Sequence, residues 1–451
     1  MMLHHPDWRA RLRAELTEWR PWATRGVVLA FAAAAGLAVV FFTWLSERAF
    51  AAFERLEHAA WWAPLLWMPA VTAAIVWATR RWFPGTAGSG IPQVMAALED
   101  ATAPAHRGLF VSLKLAAAKI VLTSAGLLAG LSLGREGPSV QIAAGVMHHA
   151  RRWLPERGTI SDHGLLMAGG AAGIAAAFNT PLGGVMFAIE ELWRRSEQRS
   201  SALLVSAIVL AGLMAVSVYG NATYFGVIRV PDLGWSLFWP GLLVALVCGL
   251  LGGLFARLLI VSLAGGDDVF SRWRRQAPVR FAAGCALAVA VIGVVCGGAA
   301  FGSGYGQTRG LLEGASDLSP LYTPLKLLAT WLTSWAGVPA GIFAPSLAVG
   351  AGIGSDVAAL TGFADRPALI ALGMAGFLAA VTQAPLTAFI IVMEMVAGHA
   401  MVLSLMACAL VASGLSRLIS APLYAALTRL QLGRLPQGER KATAYFAKDA
   451  L

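Results

Sequence analysis

The chain has 451 residues, of which 58% are hydrophobic and only 13% are charged. Soluble domains carry about 25% charged residues, so this composition excludes an ordinary soluble fold and predicts a surface that faces lipid. The net charge of +10 does not indicate a nucleic-acid partner, because the basic residues are grouped in short connections, as the positive-inside rule expects of cytoplasmic loops. This distribution predicts that both termini are cytoplasmic. Three such groups are Arg80–Arg81, Arg151–Arg152 and Arg272–Arg275.

The apolar segments of the chain are of two kinds, long uninterrupted ones and shorter ones broken by Gly and Pro. Residues 1–25 are polar with apolar residues near helical spacing, which predicts an interfacial helix, and residues 431–451 form a short cytoplasmic tail. Between them lie long segments typical of membrane spans and shorter ones broken by Gly and Pro. The long ones are 26–45, 61–79, 202–218, 240–264, 281–300 and 401–419, and the broken ones are 140–146, 165–189, 338–353 and 368–396. Broken helices at membrane depth are tolerated where they line a cavity or a site.

The chain also repeats itself. Three groups of residues recur in the same order at an interval of just over 200 residues: Gly88-Ser89-Gly90 as Gly302-Ser303-Gly304, Gly134 with Pro138 as Gly341 with Pro345, and Pro181 with Glu190 as Pro385 with Glu394. This predicts two homologous halves, at about 26–220 and 236–430, with a substrate site where they meet. Identity alone does not reveal whether the halves are inverted.

Three interrupted segments combine Gly with Pro: GSGIP at 88–92, GREGP at 134–138 and GIFAP at 341–345. Pro is favoured in the first turn of a helix, where free N–H groups and the positive end of the dipole suit an anion. The hydroxyls of Ser89 and Tyr424 are further donors. For any one segment, the alternative is that Gly and Pro merely mark turns and caps.

Together and in this order, GSGIP, GREGP, GIFAP and the late Tyr424 resemble the CLC family of chloride channels and proton-coupled chloride antiporters, of the prokaryotic type without C-terminal nucleotide-sensing domains. The resemblance covers about 26–430, which it identifies as the membrane domain. It implies an all-α polytopic membrane fold of two inverted-topology repeats with tilted and broken helices. It also implies a homodimer in which each protomer holds its own anion site.

The family's site residues carry over to positions of this chain that match its motifs. The resemblance implies anion binding by the hydroxyls of Ser89 and Tyr424 and by the helix-start positions Gly137, Ile342, Phe343 and Ala344. It implies an external gate at Glu136, whose alternative is a cap paired with Arg135. It implies internal proton transfer at Glu191 and Glu190. Their alternative is a surface pair with Arg194 and Arg195.

The expected function is chloride transport, with proton-coupled antiport favoured because Glu136 and Glu191 are both present. A passive chloride channel on the same scaffold is the alternative. An intramembrane enzyme is disfavoured because none of the eight histidines forms an HExxH motif or a metal cluster. We therefore expect no metal and no cofactor, with chloride, protons and lipid as partners, in a bacterial inner membrane.

Overall fold

The computed structural model describes residues 19–100, 102–154, 160–192, 202–220, 223–228, 234–315, 318–433 and 435. Within these ranges the regular structure is helical, apart from a single isolated β-bridge. The first half contributes α1 Trp19–Ala59, α2 Ala63–Trp82, α3 Ile91–Leu98, α4 Leu113–Leu128, α5 Glu136–His149, α6 Asp162–Phe178, α7 Pro181–Phe187 and α8 Ala202–Tyr219. The second half contributes α9 Phe238–Ala264, α10 Val269–Gln276, α11 Pro278–Val295, α12 Tyr305–Leu312, α13 Tyr322–Trp335, α14 Phe343–Thr361, α15 Arg366–Thr382, α16 Pro385–Met395, α17 Val402–Arg417 and α18 Leu423–Leu432.

The chain is an integral membrane protein. Seven helical stretches of the described residues are long and apolar enough to cross a bilayer, since about 20 apolar residues span its hydrocarbon core. Helix α1 begins at Trp19 and continues without a break through the boundary that the sequence predicts at residue 25. Residues 1–18 and 436–451, which hold most of the expected interfacial helix and tail, lie outside the described residues.

The two halves form inverted repeats joined by the isolated bridge. Gly134 and Gly341 face each other antiparallel, with Gly134 N donating to Gly341 O at 2.8 Å and Gly341 N donating to Gly134 O at 3.0 Å. Glycine is required here, because a Cβ on Gly341 would lie 2.7 Å from Gly134 O. Each glycine immediately precedes a helix start, so the bridge brings the N-termini of α5 and α14 together.

The breaks between paired helices are made in the same way in both halves. Helix α6 ends at Asn179 (φ 57°) and α15 ends at Gln383 (φ 59°), both in the left-handed conformation, and each is followed two residues later by the proline that begins the next helix. This conformation stops a helix and reverses the chain. The result is two helical hairpins whose first helices, α6 and α15, are largely buried.

Small residues let the hairpin helix α15 pack closely against α14. The backbones of α14 and α15 meet at Gly350 and Gly373, where a Cβ on Gly350 would lie 2.7 Å from the carbonyl carbon of Gly373. In lipid, where no hydrophobic force pairs helices, such close approach lets dispersion hold them together. The core thus formed surrounds the helix starts that carry the predicted site.

Candidate functional site

Glu136 is the first residue of α5 and its side chain is fully buried. Its Oε2 accepts a hydrogen bond of 3.3 Å from the backbone N–H of Ala344, in the first turn of α14. Its Oε1 is buried and has no hydrogen-bond partner in the part of the chain that the structure describes. The carboxylate therefore lies at the start of the opposite half's helix, where N–H groups lack intrahelical acceptors and suit a negatively charged group.

Arg135 is the N-cap residue of α5, and its side chain contacts residues of other segments. It donates to Glu47 Oε1 at 2.8 Å and to the hydroxyl of Tyr224 at 3.0 Å, and it also lies over the Tyr224 ring. The ion-pair partner of Arg135 in the structure is Glu47, at 2.8 Å.

Ser89 lies next to the first turn of α5. It precedes the N-cap of α3, between Gly88 and Gly90, both of which have positive φ angles. A Cβ added at Gly137 would collide with Ser89 Oγ, so the glycine lets the serine reach the start of α5. The Ser89 hydroxyl is buried and has no hydrogen-bond partner among the described residues.

Tyr424, the second residue of α18, completes this group from the other end of the chain. Its side chain is 1% exposed, its ring stacks on Phe343 at a centroid distance of 6.1 Å, and its hydroxyl approaches Ser89. Neither hydroxyl has a partner at hydrogen-bond geometry within the described residues. Buried hydroxyls normally have a partner, and two orphaned donors beside two helix starts form a cradle suited to an anion.

The structure thus brings together residues that sequence reasoning selected from distant motifs: Ser89, Glu136, Gly137, Ile342, Phe343, Ala344 and Tyr424. The N-cap Ile342 and the first helical residue Phe343 are buried at the start of α14. Phe178 and Phe187 also lie near Phe343, at centroid distances of 6.2 and 6.5 Å. Apolar rings around a few convergent donors strengthen electrostatic interactions at the site by excluding water.

Glu190 and Glu191 lie in a π-helical turn, Ala188–Leu192, that continues α7, and they face different surroundings. Glu191 is 3% exposed and lies within electrostatic range of the Tyr424 hydroxyl. Glu190 instead accepts backbone hydrogen bonds from Leu386 at 3.1 Å and Thr387 at 2.7 Å. Arg194 and Arg195, their alternative partners, lie outside the described residues.

Lys119 is a residue that sequence reasoning missed. Its fully buried ammonium group donates to the carbonyl oxygens of Thr86 at 2.8 Å and Gly88 at 2.6 Å, and so anchors the turn that carries Ser89. Lys326 anchors the matching turn of the second half through Ala300 O and Gly302 O. The two lysines are 207 residues apart, the same interval as Gly134 and Gly341, and that interval is the signal that could have found them.

The chain is similar to proteins of one transport family. A model of the voltage gated chloride channel family matches residues 71–417. The H(+)/Cl(-) exchange transporter ClcA of Cronobacter sakazakii is 31% identical over 252 residues, covering 53% of this chain and 51% of the relative. That of Citrobacter koseri is 29% identical over 238 residues, covering 51% and 48%. The matched part therefore spans about half the length of these curated relatives.

Solved structures share the fold over almost the whole chain. A slow cyanobacterial Cl⁻/H⁺ antiporter matches with a TM-score of 0.76 and 22% identity, over 91% of this chain and 98% of the other. A CLC-type fluoride/proton antiporter gives a TM-score of 0.75 at 22% identity, with the same coverage. A eukaryotic CLC transporter gives 0.74 at 20% identity, over 91% of this chain and 74% of the other.

Proposed function

Because the chain belongs to the voltage-gated chloride channel family, we propose that it exchanges chloride for protons across the membrane, with Glu136 as its gate. The observation that carries this proposal is the hydrogen bond from Ala344 N–H to the Glu136 carboxylate. A charged carboxylate competes with a chloride ion for the same donors. Protonation removes the negative charge of the Glu136 carboxylate, so the side chain binds these donors more weakly and chloride can take its place.

In this mechanism the two hydroxyls and the helix starts bind the anion. Ser89 and Tyr424 donate to a central chloride, and the backbone N–H groups at Ile342 and Phe343 complete its coordination. The N–H groups of Gly137 and Ala344 hold an anion, or the Glu136 carboxylate in its place. None of these donors carries a full charge, which suits transport because the bound ion must also leave.

We assign the internal proton-transfer role to Glu191 and a capping role to Glu190. Glu191 is buried near Tyr424, and ionisable groups at membrane depth usually serve function. Both oxygens of Glu190 are engaged by the first turn of α16. The names of the relatives, both described as H(+)/Cl(-) exchange transporters, support coupling to protons.

The setting that we propose is a homodimer in a bacterial inner membrane, with both termini cytoplasmic and each protomer carrying its own pathway. The basic groups in the last turn of α2, directly after α5 and on the short helix α10 support this orientation. Membrane lipid, chloride and protons are the expected partners, and the mechanism uses no metal or cofactor.

The test is proton movement in proteoliposomes driven by a chloride gradient, with the membrane potential clamped by a potassium ionophore. Antiport predicts uphill proton uptake that is lost when either Glu136 or Glu191 is replaced by glutamine. Chloride flux without proton movement in the wild type would instead establish the passive channel. No chloride flux at all would refute the proposal.

A further inference from the structure

Arg257 is the one charged residue of α9, an apolar helix that is long enough to cross a bilayer. It lies seven residues before the end of the helix at Ala264, which places it about 10 Å inside that end at the rise of an α-helix. This depth is two turns beyond the last residues of the helix, where basic side chains normally meet the membrane surface. The arginine therefore belongs to the apolar part of a membrane span.

The side chain of Arg257 lies in a stripe of exposed apolar residues. The exposed positions of α9 recur at helical spacing and include Leu246, Leu250, Leu254 and Val261, with exposed fractions of 44%, 48%, 47% and 62%. Arg257 is also exposed and takes the place in this stripe between Leu254 and Val261. An apolar stripe on the outside of a membrane-spanning helix faces lipid, so the guanidinium group starts from the lipid-facing surface of the protein.

Arg257 has no partner among the described residues. Within those ranges, no ion pair or hydrogen bond joins its guanidinium group to another residue. The carbonyl oxygens of Ser262 and Leu263, near the end of α9, each accept from Arg274 at 3.4 Å. A charged side chain at membrane depth is costly without a partner and is a candidate functional group for that reason.

The short helix α10 indicates where the membrane surface lies. It follows α9 directly and exposes Val269, Phe270 and Trp273 beside the basic residues Arg272 and Arg275. An amphipathic helix of this kind lies in the plane of the lipid headgroups, and the arginine of α9 lies on the membrane side of that plane. A long arginine side chain reaches from such a depth towards the phosphate groups while its methylene groups stay in the apolar layer.

We infer that Arg257 binds the phosphate of an anionic phospholipid, one with a net negative headgroup such as phosphatidylglycerol, whose acyl chains lie along the apolar stripe of α9. A guanidinium group forms two parallel hydrogen bonds with a phosphate, and a net negative headgroup matches an arginine that no described carboxylate neutralises. In the proposed orientation this lipid belongs to the cytoplasmic leaflet. The inference requires only that α9 spans the membrane, so it does not depend on the proposed transport function.

Native mass spectrometry of the full chain in a neutral maltoside detergent counts bound lipids directly. The protein is titrated with phosphatidylglycerol or with phosphatidylcholine of the same acyl chains, at about 0.01 M and about 0.3 M ionic strength. The variants are Arg257→Leu, which continues the apolar stripe, and Arg257→Lys. The matched control is Arg272→Leu, which removes the same charge from the exposed surface of α10.

We expect Arg257→Leu to weaken the binding of the first phosphatidylglycerol about tenfold, as the loss of a hydrogen bond to a charged group does, and to leave phosphatidylcholine binding nearly unchanged. Arg257→Lys should lose less, because the ammonium group keeps the charge but cannot form the paired hydrogen bonds. Any loss in Arg272→Leu should disappear at the higher ionic strength, since salt screens a fully exposed charge most strongly.

Phosphatidylglycerol should also raise the unfolding temperature of the wild type, because it binds the folded state, but not that of Arg257→Leu. Equal phosphatidylglycerol affinities in the wild type and Arg257→Leu would overturn the inference, as would an equal loss for both lipids. A change of the Arg257→Leu protein from dimer to monomer would place the residue between protomers and overturn it as well. If Arg257→Leu does not fold while Arg257→Lys does, the arginine has a partner within the protein, which also contradicts the lipid site.

Discussion

Glu190 and Glu394 cap each other's helices. Glu190, at the end of the first-half hairpin, accepts hydrogen bonds from Leu386 N and Thr387 N at the start of α16. Glu394, near the end of α16, accepts them from Leu182 N at 3.2 Å and Gly183 N at 2.7 Å, at the start of α7. Both helices begin with proline, which has no N–H, and the next N–H groups of the first turn have no intrahelical acceptor. These four reciprocal hydrogen bonds connect the two inverted halves at the start of α7 and α16.

Replacing either glutamate by glutamine should destabilise the protein. The amide keeps an acceptor oxygen but loses the charge that the helix N-terminus favours, and such caps are worth roughly 1 kcal/mol. We expect Glu190→Gln and Glu394→Gln to lower the thermal unfolding temperature by similar amounts in detergent, while both variants keep proton-coupled transport.

Comparing Glu190→Gln with Glu394→Gln distinguishes a helix-capping role of Glu190 from a proton-transfer role. If Glu190 relays protons, Glu190→Gln will lose proton coupling and Glu394→Gln will not. That result would return Glu190 to the role that the sequence resemblance gives it alongside Glu191.

The pH dependence of transport should follow the protonation of Glu136. Acid neutralises its carboxylate and weakens its hold on Ala344 N–H, so the wild-type chloride flux should rise as the pH falls. In Glu136→Gln the side chain has no charge to lose, and we expect chloride flux without proton movement and a flattened pH profile. Glu313→Gln is the control, because Glu313 is an exposed carboxylate paired with Arg309. A variant at Glu136 that still pumps protons would remove it as the gate.

The sequence was sufficient to select the candidate site residues, but it did not predict the hydrogen bonds that hold their segments in place. Gly and Pro mark helix starts, so the repeated motifs predict that Gly134 and Gly341 lie near the meeting point of two halves, whereas the role of Glu136 came from the family resemblance. The inverted relation of those halves came only from the family resemblance, because identity between repeats does not show direction. In the structure the two equivalent glycines, Gly134 and Gly341, meet in an antiparallel bridge, and the fold is shared with solved CLC structures.

What the sequence did not reveal were the partners of buried polar groups. Lys119 lies in an apolar run and has no nearby acid in the sequence, and its acceptors are backbone carbonyls of a turn 31 and 33 residues away. Backbone acceptors carry no side-chain signature, so no motif marks such a contact. For the same reason the repeat spacing identified Glu190 and Glu394 as equivalent positions of the two halves, but it did not predict that each one caps the other's helix.

Removing the tyrosine hydroxyl should weaken the central anion site. A hydrogen bond to a charged group is worth about 1.5–3 kcal/mol, so Tyr424→Phe should raise the chloride Kd by about tenfold or more. The control is Tyr322→Phe, which removes another buried hydroxyl without a partner among the described residues, on α13. Calorimetric chloride titration of the purified proteins measures both. Equal affinities in Tyr424→Phe and the wild type would place the central anion elsewhere.

The close approach of Ser89 to α5 can be tested with a single methyl group. A Cβ at Gly137 would collide with Ser89 Oγ, whereas a Cβ at Gly414, within α17, would meet no atom within 4 Å. We therefore expect Gly137→Ala to displace the serine hydroxyl and to reduce chloride affinity and flux severalfold. Gly414→Ala should leave both unchanged, and its unfolding temperature should be equal or slightly higher because alanine favours the helix. If Gly137→Ala binds and carries chloride as the wild type does, then Ser89 can move without loss and is not a fixed donor of the site.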